Sequence, residues 1–186
     1  MTSTSDRTTD RTADGGALTP GSWGDERSRT VTWHDPLVGA SQGLALSGLD
    51  YLQAMIDGEL PPPPIAGLVQ MDLVSAEPGR VVFTCTPDES AYNPIGAVHG
   101  GLVCTLLDSV AGCALHSTLP QGRGYTSVEI KVNYLKAVRA SSGLLTATGT
   151  VVRSGSRVGF TEGVVTDGSG AVVATASSTL LVFDLP

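Results

Sequence analysis

Apolar positions along this chain change period more than once. After Ser47, residues Leu49, Leu52, Met55 and Ile56 recur at helical spacing until Gly58. A serine before such a run offers its side-chain oxygen to the first free amides, so the spacing predicts a short helix capped by Ser47. Pro61 to Pro64 then read as a stiff polyproline connector. Residues 66–76 and 80–86 are predicted strands, divided by the turn signal Glu77-Pro78-Gly79. Residues 98–117 predict the one long helix. Residues 125–138, 143–153, 157–166 and 171–183 are rich in Val, Thr and Leu, and the pattern predicts four further strands, antiparallel to one another. Their separators, Ala140-Ser141-Ser142, Ser154-Gly155-Ser156 and Asp167-Gly168-Ser169-Gly170, suit hairpin loops.

The long helix is apolar around most of its circumference, through Leu102, Val103, Leu106, Leu107, Val110, Ala111, Ala114 and Leu115. A helix of that kind is buried. One buried helix with about six antiparallel strands fits an α+β fold in which a sheet curls around the helix. One stripe breaks the pattern: Gly101, Thr105, Asp108 and Gly112 share a face. Small residues there let a backbone or a thin ligand approach, which presents Asp108 to it. A partly solvated carboxylate at the helix edge is the plainer alternative.

Composition narrows the class. At 186 residues the chain is long enough for one good core. Residues 1–40, polar over most of their length, read as a disordered tail, and residues 44–186 as a single domain. The hydrophobic share of 41% against 16% charged favours a sheet-rich body. A net charge of −7 leaves no basic stripe for nucleic acid, so a polyanionic ligand would need local arginines. Cys85, Cys104 and Cys113 are too few for a disulfide framework or a zinc site. Cys113 and His116 lie three apart on the helix, but no second pair completes a metal site. No apolar run reaches about 18 residues and no secretory signal is visible, so a membrane span is excluded and the cytoplasm expected.

The candidate chemistry sits where the long helix starts. Asn93-Pro94-Ile95-Gly96-Ala97-Val98-His99-Gly100-Gly101 runs directly into it, and Asp108 follows nine residues after His99. A helix N-terminus collects unpaired N–H groups and partial positive charge, so it can hold a developing oxyanion. The Gly100 N–H is the candidate oxyanion donor; Gly100 and Gly101 serving only tight packing is the alternative. Asp108 would activate a water as general base or attack directly to give an anhydride.

The motif Asn93-Pro94-x-Gly96-x-x-His99-Gly100-Gly101, then Asp108, then Thr126-Ser127-Val128-Glu129, resembles the PaaI-like acyl-CoA thioesterases of hotdog fold. Gly-Glu-Leu-Pro-Pro-Pro-Pro-Ile at 58–65 also looks like the entry to the first strand in these proteins. The resemblance covers about residues 45 to 183. It implies a hotdog fold with a short N-terminal helix, and homodimers paired edge to edge that often pair again into tetramers. It also implies an active site built from both chains. The helix rise gives an independent reason for sharing, because about 13 Å of regular helix lies between the glycine end and Asp108. Two antiparallel helices side by side would bring Gly100 of one chain to Asp108 of the other.

The resemblance implies further roles. His99 would polarise the thioester, steady the loop or position the leaving thiolate. Asn93 would help hold the nucleophile, or act simply as a turn residue. Either Thr126 or Ser127 would hydrogen-bond the attacking water, with Ser127 favoured because it precedes Val128-Glu129. Arg153, Ser154, Gly155 and Arg157 form the compact basic turn that would hold CoA phosphates, unless they are solvated hairpin charges. Lys136 and Arg139 are weaker candidates of that kind. Tyr92, Tyr125 and Tyr134 would line an aryl-sized pocket or serve packing. The expected activity is acyl-CoA hydrolysis with no metal and no cofactor beyond the CoA of the substrate. A hydroxyacyl-thioester dehydratase and a non-catalytic acyl-CoA-binding module are the rival readings.

Overall fold

The computed structural model describes residues 21 and 23–185. A compact unit begins at Val31; ahead of it, residues 23–30 carry neither helix nor strand. The remainder of the predicted disordered tail lies outside the described residues. Within the stretch assigned to that tail, however, the chain forms helix α1 (Pro36–Gly43). Asp35 caps it, accepting the Leu37 N–H at 2.9 Å, and Pro36 supplies a preset first position. Its residues are mostly small and make no apolar stripe, so periodicity gave no sign of it.

Helix α2 (Gly48–Ile56) starts as expected, with the Ser47 hydroxyl oxygen accepting from the Asp50 N–H at 3.2 Å. The next expectation fails in part. Residues 66–69 are not strand but belong to helix α3 (Pro64–Val69), so the polyproline connector ends at Pro63. Pro64 opens that helix, and Gln70, in the left-handed region at φ 56°, closes it. Five apolar or small residues in a row carry no period, which is why the run passed for a strand.

Among the described residues the six strands are β1 (Met71–Glu77), β2 (Arg80–Cys85), β3 (Arg123–Tyr134), β4 (Leu145–Ser154), β5 (Val158–Thr166) and β6 (Val172–Asp184). They form one antiparallel sheet in the order β1-β2-β4-β5-β6-β3. Between β2 and β3 runs helix α4 (Gly100–His116), which packs against every strand. Leu106, Leu107, Val110, Ala111, Ala114 and Leu115 on α4 are fully buried. Full burial of such side chains is worth about 1.5–3 kcal/mol for each large one, so this helix organises the core. The sheet approaches it closely at Gly149, where a Cβ would lie 2.1 Å from the Val110 carbonyl oxygen. Because β4 pairs with β2, β3 is displaced to the far edge of the sheet, where among the described residues it pairs only with β6.

Candidate active site

The loop into α4 is held by its own side chains. Asn93 Oδ1 accepts from the Ile95 and Ala97 N–H groups, each at 3.1 Å, and the Asn93 N–H reaches the Ala97 carbonyl at 2.8 Å. Asn93 is thus a turn-forming residue whose oxygen is occupied, while its Nδ2 hydrogens stay as donors. The Val98 N–H bonds Val138 O at 2.8 Å and the His99 N–H bonds Ala91 O at 2.7 Å, which fixes the helix start.

His99 is the N-cap of α4. Its Nδ1 accepts the Gly101 N–H at 2.9 Å, so a neutral ring carries its proton on Nε2. The Leu102 N–H turns back to His99 O at 3.0 Å. That leaves Gly100: among the described residues its N–H has no acceptor. A cleft of about 330 Å³ opens beside it, lined among others by Asn93, Val103, Tyr134 and Lys136. Lys136 is committed within the chain, with its Nζ 2.6 Å from Asp167 Oδ2. Lys136, then Ser169, hold the Asp167 carboxyl well below the usual carboxylate range.

Asp108 lies in the middle of α4 and accepts a 2.7 Å hydrogen bond from Ser127 Oγ. Of the two hydroxyls open at the sequence level, Ser127 is therefore the one on the acid. Strand alternation explains it: Ser127 pairs with buried Leu180, and Thr126 with exposed Leu181. Asp108 and Ser127 face a different cavity, of about 430 Å³. Its walls come from Met55 and Ile56 of α2, the prolines before α3, and Met71 of β1. The N-terminal helices thus contribute to the site, a role the sequence did not reveal.

Cys113 and Tyr125 also line this second cavity. Burial pushes the Cys113 thiol up to about 12 and the Tyr125 phenol well above its ordinary value. The His116 ring, 5.3 Å from the Tyr125 ring and 5.6 Å from that of Tyr51, is held below its ordinary value by burial. All three groups are neutral near pH 7, so this side of the cavity suits an uncharged guest. Among the described residues, Cys113 and His116 join no cluster arranged for a metal ion.

Within one chain the two halves do not meet. Gly100 and Asp108 stand about 12 Å apart along a regular helix and border separate cavities. The basic turn is elsewhere again. Ser154 and Gly155 border a small cleft with Thr118, Pro120 and Arg123, past the C-terminal end of α4. Arg153 and Arg157 are exposed there. Arg123, which the sequence did not single out, is the cation built into that cleft, paired with Asp184 at 3.1 Å. Arg139 heads a 3-10 turn over Ala140–Ser142, and Tyr92 Oη accepts the Ala140 N–H at 2.9 Å.

Residues 95–174 match the thioesterase superfamily. Human acyl-coenzyme A thioesterase 13 is 31% identical over 113 residues, covering 60% of this chain and 79% of that protein. The chain belongs to the thioesterase superfamily. Solved structures agree. A Streptococcus mutans UA159 protein bound to acetyl CoA is 30% identical, with a TM-score of 0.57 over 62% of this chain and 90% of the other. A phenylacetic acid degradation-related protein from Ralstonia eutropha JMP134 is 27% identical, with a TM-score of 0.65 over 70% and 98%. The sheet wrapped on α4 is accordingly the hotdog fold of this superfamily, and the fold expected from the sequence stands. Among the described residues, no helix of this thioesterase-superfamily chain is long and apolar enough to cross a membrane.

Proposed function

We propose that this protein hydrolyses acyl-CoA thioesters to a free acid and CoA, in sites shared between two copies. The Ser127–Asp108 pair beside an apolar cavity carries the reading. The unclaimed N–H of Gly100 supports it, as do relatives that are themselves named for acyl-CoA hydrolysis. In this scheme Asp108 takes a proton from a water oriented by Ser127, and the water oxygen bonds to the thioester carbon. Negative charge forms on the carbonyl oxygen and is met by the Gly100 N–H of the other copy, with His99 beside it and Asn93 Nδ2 as a further donor. Collapse breaks the carbon–sulfur bond, and the CoA thiolate leaves and is protonated. Direct attack by Asp108 would give a mixed anhydride, cleaved by water in a second step.

Pairing through the free edge of β3 would run the two α4 helices antiparallel and bring the two halves together. Val128, which opens a bulge on that edge, is 60% exposed. Dimers would then pair again into tetramers. Arg153, Ser154, Gly155 and Arg157 would receive the CoA phosphates, and a reducing cytoplasm suits three free cysteines. An aryl or phenylacetyl group is the acyl class we favour, since an apolar cavity of this size accepts a ring.

Free-thiol release from a panel of phenylacetyl-, hydroxybenzoyl-, short- and medium-chain CoA esters tests the proposal. Thiol release that is lost in Asp108→Asn supports it. Binding without turnover by both proteins would leave an acyl-CoA-binding module instead, and an enoyl product without thiol would mean a dehydratase.

A further inference from the structure

Tyr134 ends β3 and lies directly over the start of α4. Its hydroxyl donates to the Gly100 carbonyl oxygen at 3.0 Å. Its ring occupies the space that a side chain at position 100 would need: a Cβ there would sit 3.2 Å from Tyr134 Cζ. A side chain at position 100 fits only if this ring yields by a few tenths of an ångström. Tyr134 therefore touches the helix start in two ways, by packing on one atom and by hydrogen bonding another.

The hydrogen bond matters through the peptide it reaches. The Gly100 carbonyl belongs to the same peptide group as the Gly101 N–H, and that N–H donates to His99 Nδ1 at 2.9 Å. A donor on the carbonyl oxygen draws electron density from the amide and strengthens its N–H as a donor. The chain thus runs from the Tyr134 hydroxyl through one peptide to Nδ1, and its far end is Nε2–H. Burial, then the neighbouring Cys104 thiol, hold the Tyr134 phenol above its ordinary value, so the hydroxyl keeps its proton. The cleft beside Gly100 is lined by Tyr134 and Asn93, so this assembly borders open space.

We propose that Tyr134 is a positioning residue for the oxyanion site. By bonding the Gly100 carbonyl it fixes the His99 ring in one tautomer, with Nε2–H standing as a donor beside the Gly100 N–H. This rests on the thioesterase reading given above. It adds a residue that makes no contact with the reacting atoms but sets two groups that do. It also gives the β3 edge a second task, because the strand that offers an edge for pairing also holds the oxyanion end of α4.

The test is Tyr134→Phe in the full-length protein, which keeps the ring over Gly100 and removes the hydroxyl alone. Three readouts are taken: thioester turnover, thermal melting, and side-chain 15N NMR of His99 at alkaline pH. The His99 signals are assigned by their loss in His99→Gln. In the wild type, well-separated Nδ1 and Nε2 shifts mark one dominant tautomer. The expected result is a kcat lower by roughly tenfold with KM within about twofold, a little-changed melting temperature, and His99 shifts moved towards each other. Unchanged His99 shifts would overturn the proposal. So would a fall in melting temperature with kcat intact, since that is a packing role. If the wild type releases no thiol from any ester, the thioesterase reading fails on its own terms. The NMR comparison still decides whether Tyr134 governs His99.

Discussion

Ser127 on β3 donates a 2.7 Å hydrogen bond to Asp108 in the middle of α4. A hydrogen bond to a charged group is worth about 1.5–3 kcal/mol, so Ser127→Ala should lower kcat by roughly 10- to 100-fold. Asp108→Asn removes the base itself and should cost roughly 10²–10⁴. Thr126→Ala, one residue away on the outward face, should leave turnover within about twofold. Steady-state thiol release by the three variants checks the ordering. Equal losses in Ser127→Ala and Thr126→Ala would show that the hydroxyl on the acid is not the one that matters.

His99 can be divided into a helix cap and a group that meets the substrate. Its Nδ1 caps Gly101 at 2.9 Å, so His99→Ala should cost about 1 kcal/mol of stability. His99→Asn replaces one capping side chain with another and should recover most of that loss. If Nε2–H meets the thioester oxygen, turnover should stay low in both variants. Full recovery of kcat together with melting temperature in His99→Asn would reduce the residue to a cap.

Much of this could be read in advance from single residues, and each failure has its own physical cause. The buried helix announced itself because Leu102 to Leu115 are apolar on several faces, and the strands because Val and Thr recur between turn signals. The helix start was visible as an amide, an imidazole and two glycines, although the predicted helix began at residue 98 and His99 as its cap was not foreseen. α1 and α3 were not, because short runs with proline at the first position carry little period. The wall that α2 and the prolines give to the Asp108 cavity was hidden for another reason: it depends on chain segments about fifty residues apart packing together. Arg123 escaped notice because a lone arginine before a strand resembles any solvated charge, and only its approach to Asp184 distinguishes it.

The Lys136–Asp167 pair predicts a pH effect with a definite sign. Lys136 first, then Ser169, depress the Asp167 carboxyl in the folded chain below its ordinary value of 3.8. A depressed carboxyl contributes stability that is fully present above the unfolded value and is lost as pH falls through the folded one. The melting-temperature gap between wild type and Asp167→Asn should therefore hold steady from pH 7 to about 5, and close progressively below about 4. Asp167 Oδ1 also accepts from the Ser169 and Ala171 N–H groups at 3.0 and 3.1 Å, so the turn between β5 and β6 should loosen with it. Melting curves across pH 2–7 decide; a gap that widens in acid would reverse the assignment.

The sharing of sites between copies admits a test by complementation. Gly100→Pro removes the proposed oxyanion N–H, and the first position of a helix accepts proline. The Tyr134 ring, 3.2 Å from a Cβ at this position, has to yield by a few tenths of an ångström. Homogeneous Gly100→Pro protein should be inactive, and so should homogeneous Asp108→Asn. In a mixed dimer of the two, one site receives both damaged groups and the other receives a wild-type glycine N–H from one chain and a wild-type Asp108 from its partner. Separately inactive proteins, unfolded and refolded together in equal amounts, should thus regain about a quarter of wild-type activity. Half of the random dimers are mixed, and each carries one intact site out of two. If each site used Gly100 and Asp108 of a single chain, refolding the two together would restore nothing. Activity in the mixture but not in either parent is the outcome that only a site divided between chains produces, because neither parent protein contains a complete one.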